Sequence, residues 1–378
     1  MSALDLLSGD AQVFLEKTWA SRTHLHRAEP ADLVALLSLE DVDELLTSSG
    51  LRTPALRLAK EGEVLPESAY TRRGATLAGK PLTGLVDARR VLQLFDEGAS
   101  IVLQGLHRYW PPLTRLIAEL ELELGHPCQA NAYLTPPGSQ GFALHADTHD
   151  VFVFQTAGAK QWEVHGEDGP QEIRLEPGLS MYLPTGTRHA ARAQESVSLH
   201  VTIGINQLTW RGLARRALEA ALDEVPDEHL PAGYLDDPSE LTSGLASRLA
   251  ALADRIRAID PAEPVADEIR RFLTSRPSRL SGGLSDVIDL RSGLTEDSVL
   301  RRRAGHPCVL LDRDGQLQVL LGDRSLTMPA RLRPAMEEVR ARASFGPSDL
   351  GLDPQSGIVL CTRLVREGLL EVVGPQPR

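Results

Sequence analysis

The stretch Gly141-Phe142-Ala143-Leu144-His145-Ala146-Asp147-Thr148-His149-Asp150-Val151-Phe152-Val153-Phe154 decides how this chain is read. Val151 to Phe154 are β-branched or aromatic, and the run lies between the turn cluster Pro136-Pro137-Gly138-Ser139 and Gly158, which predicts a β-strand. Side chains alternate along a strand, so His145 and Asp147 are expected on one face, with His149 next along it. One imidazole and one carboxylate hold a divalent ion poorly, and a third ligand has to come from elsewhere. The segment Gly178-Leu179-Ser180-Met181-Tyr182-Leu183-Pro184-Thr185-Gly186-Thr187-Arg188-His189 offers His189, with glycines to turn the chain and Pro184 to stiffen the approach. His200, in Ser198-Leu199-His200-Val201-Thr202, and His149 compete for that role, and the bland alternative is a set of satisfied core residues. Two imidazoles and one carboxylate leave open positions on an octahedral ion, the facial arrangement of non-haem Fe(II) oxygenases.

Outward from this strand, further short strands are expected at Ala99–Leu103, Cys128–Leu134, Gln161–His165, Ile173–Leu175, Ser180–Leu183 and Ser196–Ile205. Their regular spacing with turn signals between them predicts an all-β barrel or sandwich. A helical entry segment precedes it from about Asp5 to Leu46, broken by Pro30, with Ser38-Leu39-Glu40-Asp41 as a capping box. Residues 51–80 read as strands and loops, Ala88–Asp96 as a short helix, and Pro112–Leu124 as an amphipathic helix ended by Gly125. After Trp210 the pattern turns helical at Leu213–Leu222, Leu241–Ile259 and Val265–Leu273. From about Asp286 a hairpin, Cys308–Leu311 with Leu317–Leu321, is followed by helices at Pro329–Ala343 and Pro354–Glu367 and a strand at Leu369–Val373, a winged-helix-like order. The expected division is a barrel with its entry segment over 1–210, a helical module over 211–285 and a winged-helix-like domain over 286–378. The stripe Leu245, Leu249, Leu252 and Ile256 predicts a homodimer through the helical module, the alternative being packing within one chain.

The formal net charge of −12 over 378 residues argues against a general nucleic-acid binder, which needs an excess of Lys and Arg for phosphates. It suits a basic partner, although plain solubility explains it as well. Direct DNA binding by the last domain is not expected, because Arg331, Arg333, Arg340 and Arg342 are offset by Glu337, Glu338 and nearby acids. No apolar run approaches the roughly 20 residues of a membrane span, and the first residues lack the regions of a signal peptide, so a cytoplasmic protein without a membrane segment is expected. The three cysteines, Cys128, Cys308 and Cys361, are scattered, which supports neither a disulfide framework nor a zinc ribbon.

An Fe(II) oxygenase needs an electron-donating co-substrate. 2-Oxoglutarate, the usual one, brings a far carboxylate that a dry barrel must pair with a cation or hydroxyl donors. Lys160, just past the central strand, can supply the cation, and Asn131, Tyr133 and Thr202 can donate hydrogen bonds. The bland reading of Lys160 is a solvated turn lysine.

These motifs carry a resemblance. Ala132 to Phe142, His145-x-Asp147, Asp150-Val151-Phe152, Lys160-x-Trp162 and Gly178 to His189 resemble the cupin-like JmjC ribosomal oxygenases, from about Ala99 to Leu208. Members of that family are Fe(II)- and 2-oxoglutarate-dependent hydroxylases of ribosomal-protein side chains, arginine in the characterised bacterial case and histidine in animals. The resemblance implies a double-stranded β-helix, His145, Asp147 and His189 as iron ligands, and Lys160 as the 2-oxoglutarate anchor with Asn131, Tyr133 and Thr202 around it. It also implies a ribosomal protein or basic peptide and O₂ as the other reactants. The segment Val164–Ile173 and the gap from His189 to His200 are short for the family, which leaves two alternatives open: an oxygenase of a small peptide, amino acid or natural product, and a metal-binding cupin scaffold without turnover.

Overall fold

The computed structural model describes residues 1–139, 143–166, 169–192, 196–313 and 315–373. Gln140, Gly141 and Phe142 of the opening stretch, Glu167 and Asp168 of the shortened segment and Asp314 of the expected hairpin turn lie outside them. The chain divides into two compact units, residues 1–207 and 208–378.

In the first unit, α1 (Ala3–Ser8), α2 (Ala11–Lys17), β1 (His24–Arg27), α3 (Pro30–Val34) and α4 (Leu39–Ser48) form the entry segment. The predicted capping box starts α4, Ser38 and Asp41 each satisfying the other's backbone N–H. Next come β2 (Leu56–Lys60), β3 (Glu63–Val64), β4 (Thr76–Leu77), β5 (Lys80–Pro81), α5 (Ala88–Asp96), β6 (Ser100–Leu103) and α6 (Pro111–Leu124). The barrel strands follow: β7 (Cys128–Thr135), β8 (His145–Ala146), β9 (Asp150–Ala157), β10 (Lys160–Gly166), β11 (Gly169–Leu175), β12 (Leu179–Leu183), β13 (Arg188–Arg192) and β14 (Ser198–Ile205). Together with β1, β2, β3 and β6 they make an eight-stranded sheet, β1-β12-β9-β14-β7-β6-β2-β3, and a four-stranded sheet, β11-β10-β13-β8.

The two-residue period of the strands decides which side chains reach the space between these sheets. On β14, Leu199, Val201, Ile203 and Ile205 join the core that includes α1, α2 and α6, while His200, Thr202 and Gly204 face the cavity. On β7, Ala130 and Ala132 face that core, and Gln129, Asn131, Tyr133 and Thr135 face the cavity. On β9 both faces are apolar: Phe152 and Phe154 point to the helices, and Val151 and Val153 pack between the sheets with Trp162 and Val164. Fully burying such a side chain stabilises the fold by roughly 1.5–3 kcal/mol.

The opening stretch is not one strand. His145 and Ala146 pair in the four-stranded sheet, Asp147 to His149 form a break, and β9 begins at Asp150 in the other sheet. A chain that changes sheets must leave one hydrogen-bond ladder before entering the next, and the polar run Asp147-Thr148-His149 is where it does so. Asp147 and His149 therefore sit on a turn and not on a strand face.

The second unit holds α7 (Trp210–Asp223), α8 (Ser239–Ala258), α9 (Ala262–Phe272) and α10 (Gly283–Ser292). Beyond them lie β15 (Leu300–Arg302), β16 (Val309–Arg313), β17 (Gln316–Leu320), β18 (Ser325–Pro329), α11 (Arg333–Ala341), α12 (Pro354–Arg366) and β19 (Leu370–Val372). The predicted hairpin is β16–β17, extended by the unforeseen β18, and β15 pairs with β19. Asp286 and Arg303 form a buried ion pair, with Arg303 Nε also donating to the Gly368 carbonyl at 3.0 Å. Removing either partner would cost about 3–5 kcal/mol by stranding the other charge. No residue of α8 is buried, and Leu245, Leu249 and Ile256 are 54%, 55% and 37% exposed.

Candidate metal centre

His145 on β8 lies directly opposite His189 on β13, and paired residues of an antiparallel ladder share a face, so the two rings stand 4.5 Å apart. Each ring is oriented the same way. The Nδ1 of His145 bonds the Ala143 carbonyl at 2.8 Å and that of His189 the Thr187 carbonyl at 2.9 Å, so Nδ1 carries the proton and Nε2 is the ligand nitrogen. Asp147 closes the set, its Oδ1 4.0 Å from His145 Nε2 and its Oδ2 3.6 Å from His189 Nε2. One ligand atom from each of the three residues lies within 4.8 Å of the others. Burial pushes the His189 pKa below the usual range, against the opposing effect of its bond to the Thr187 carbonyl, a direction that favours the neutral form a ligand needs. Two imidazoles and a carboxylate converging beside a cavity fit a divalent first-row ion with open positions.

The cavity has a volume of about 370 Å³, and the triad forms part of its wall. Lys160, on β10, is only 5% exposed and donates from Nζ to Thr135 Oγ1 at 3.0 Å; burial lowers its pKa to about 8. It is not a solvated turn lysine. Tyr133 shares hydrogen bonds with Thr202 and Arg57, and its own pKa is pushed up, by burial above all. The Asn131 carbonyl oxygen accepts from Gly105 N–H at 2.9 Å, and Asn131 is paired with Thr202 across the β7–β14 ladder.

Both competing histidines line the cavity outside the triad. His200 is buried, stacks on Tyr133 at 5.0 Å with its ring nearly parallel, and meets the edge of Trp162; its pKa is driven well down by burial and by Lys160. His149 approaches β14 at Gly204, where a Cβ would come within 2.7 Å of its Nε2, so only glycine admits the ring. Two further histidines take partners elsewhere: His126 stacks on Trp19 at 5.3 Å, and His165 pairs with Glu163 at 2.9 Å.

Sequence reasoning missed Thr135 and Arg57. Thr135 shares the strand parity of Asn131 and Tyr133, which would have found it. Arg57 lies between Leu56 and Leu58, both fully buried, and a charge between two core leucines on a strand must point to a polar space.

Comparison with known proteins agrees with this geometry. The JmjC domain family matches residues 110–213. Ribosomal oxygenase 1 of Rattus norvegicus is 28% identical over 212 residues, 46% of this chain and 36% of that protein. The bifunctional lysine-specific demethylase and histidyl-hydroxylase NO66 of Culex quinquefasciatus is 25% identical over 387 residues, covering 88% of this chain and 58% of that one. The chain spans between 25% and 58% of the length of such relatives. Among solved structures, the Escherichia coli ribosomal oxygenase YcfD superposes with a TM-score of 0.52 at 18% identity, covering 97% of this chain and 99% of YcfD, a likeness of fold. YcfD has also been solved in complex with cobalt and 2-oxoglutarate. Residues 110–213 are thus similar to the JmjC domain, and the proteins the chain resembles include ones named ribosomal oxygenases.

Proposed function

We propose that this protein is an Fe(II)- and 2-oxoglutarate-dependent oxygenase that hydroxylates an arginine or histidine side chain of a ribosomal protein. One observation carries the reading: a single cavity is lined both by the triad His145, Asp147 and His189 and by a buried lysine ammonium bonded to a hydroxyl and, among the described residues, to no acid. A desolvated cation is costly until an anion reaches it, and a dicarboxylate bound between metal and lysine supplies that anion.

Fe(II) with 2-oxoglutarate and O₂ supplies the oxidising power to place oxygen in a C–H bond. The chain's own residues do the rest. His145 and His189 offer Nε2, and Asp147 a carboxylate oxygen. Lys160 and Thr135 take the far carboxylate of the co-substrate, with Asn131, Tyr133 and Thr202 lining the path between. Val151, Val153 and Trp162 keep that path dry. The acidic balance favours a basic partner, and the names of the relatives point to ribosomal proteins.

The remaining parts of the reading concern assembly. The exposed stripe Leu245, Leu249 and Ile256 supports a homodimer through the helical module of residues 211–285. Helices α11 and α12 followed by β19 support a winged-helix-like domain over 286–378. We place the protein in the cytoplasm with its substrate; among the described residues no helix is long and apolar enough to cross a membrane.

Purified protein should form succinate from 2-oxoglutarate only with Fe(II), and should add the mass of one oxygen atom to a protein of isolated ribosomes. Succinate with a modified free peptide or amino acid and unmodified ribosomes would move the substrate to a small molecule. No succinate would leave a metal-binding scaffold.

A further inference from the structure

Three residues beyond Asp147, Asp150 is a buried carboxylate that the chemistry above does not use. Its Oδ2 accepts a hydrogen bond from the Tyr182 hydroxyl, which in turn accepts one from Ala20 N–H at 3.0 Å. Its Oδ1 accepts two, from the Thr185 N–H at 2.8 Å and the Thr185 hydroxyl at 2.7 Å. Thr185 opens the turn that leads into β13, and each of the next two residues bears on a metal ligand. Gly186 N–H donates to the Asp147 carbonyl at 3.0 Å, and the Thr187 carbonyl receives His189 Nδ1 at 2.9 Å.

The break at 147–149 and the turn at 184–187 are thus fastened together twice, once by backbone at Asp147 and once by the Asp150 carboxylate. These two irregular segments carry Asp147 and the bond that orients His189, and neither is held by a regular ladder. His145 is tied to His189 separately, through the β8–β13 pairing. A buried carboxylate persists only when its lone pairs are filled, and charge-assisted bonds of this length fix geometry as well as energy.

We propose that Asp150 is the positioning residue of the metal centre: its bonds to Thr185 set the separation of Asp147 and His189, whereas its bond to Tyr182 serves the fold. The proposal rests on the triad's being a metal site, and the two can fail separately. The test is Co(II) binding by the full-length protein, measured by calorimetry and by the visible absorption of the bound ion, alongside the melting temperature without metal. Asp150→Ala should weaken Co(II) binding about tenfold or more and change the absorption, as loss of a group that orients a ligand does. Tyr182→Phe removes only the other arm and should lower the melting temperature while leaving Co(II) affinity within about threefold of the parent. Asp150→Asn keeps an oxygen for Thr185 and should behave like Tyr182→Phe. If the Asp150→Ala variant does not fold, Thr185→Ala, which removes the hydroxyl bond to Asp150, should still weaken Co(II) binding beyond the roughly threefold allowed for Tyr182→Phe, and parent-like affinity there would overturn the positioning role. Affinity that falls in step with melting temperature across these variants, or is unchanged in Asp150→Ala, overturns the positioning role. Absence of Co(II) binding in the parent, or its persistence in His145→Ala, would instead overturn the metal site itself.

Discussion

The two functional ends of the cavity are built from different kinds of backbone. Lys160, Thr135, Tyr133 and His200 all stand on strands, and all are buried except the half-buried Tyr133. The triad takes His145 from a two-residue strand, Asp147 from a break and His189 from the start of β13, and its side chains range from 6% to 43% exposed. On the proposed reading, the lysine end is a dry socket for a group that is the same in every turnover. The metal end is more exposed, and on the same reading it is where a substrate side chain would reach the ion. A site that must be both anchored and accessible has divided those demands between a sheet interior and a sheet edge.

If that division is right, substitutions at the two ends should differ in kind. The largest effect is expected at the metal end: Asp147→Ala should abolish both stoichiometric metal binding and succinate formation, measured by metal analysis and turnover. Lys160→Met comes next. It should weaken 2-oxoglutarate binding by about 3 kcal/mol, roughly 10²-fold, while metal binding stays intact and the ligand-free melting temperature rises, since a buried charge with no counter-charge among the described residues has gone. A lower melting temperature would show that the ammonium is already satisfied in the free protein.

The same lysine predicts a pH dependence. Its pKa is near 8 in the fold against 10.5 in the unfolded chain, so between those values the unfolded state holds more protons. Its burial penalty is therefore largest below about pH 8, and stability from this group rises with pH across that window. Affinity for 2-oxoglutarate should run the opposite way, falling as pH climbs through about 8, and Lys160→Arg should flatten the fall. The smallest effect is expected for Thr135→Val, which removes one hydroxyl from the ammonium: about 1 kcal/mol, or roughly fivefold in the KM for 2-oxoglutarate.

The lysine end and the metal end were also unequally legible in the sequence. Strand parity alone puts Asn131 and Tyr133 on one face and would have added Thr135 to them. The triad was found through residue types and turn signals, yet the single strand drawn through His145, Asp147 and Phe154 was wrong. Composition marks Val151 to Phe154 as a strand, but nothing local records that the ladder changes sheets between Ala146 and Asp150. That exchange depends on which strands lie alongside, a property of the whole barrel. His200 shows the same limit: an imidazole among apolar neighbours reads equally as a ligand or as core, and only the fold shows it stacked on Tyr133 beside Lys160. Arg57 contributes from β2, two strands away from β7 in the sheet and far from it in sequence, so no motif window contains it.

The most direct test of the account is the visible spectrum of Fe(II)-loaded protein titrated with 2-oxoglutarate in the absence of O₂. Chelation of Fe(II) by the keto-acid end should raise a charge-transfer band that is absent in Asp147→Ala and that needs far more 2-oxoglutarate to appear in Lys160→Met. Binding of 2-oxoglutarate with no such band, or with equal affinity whether or not the metal is present, would contradict it.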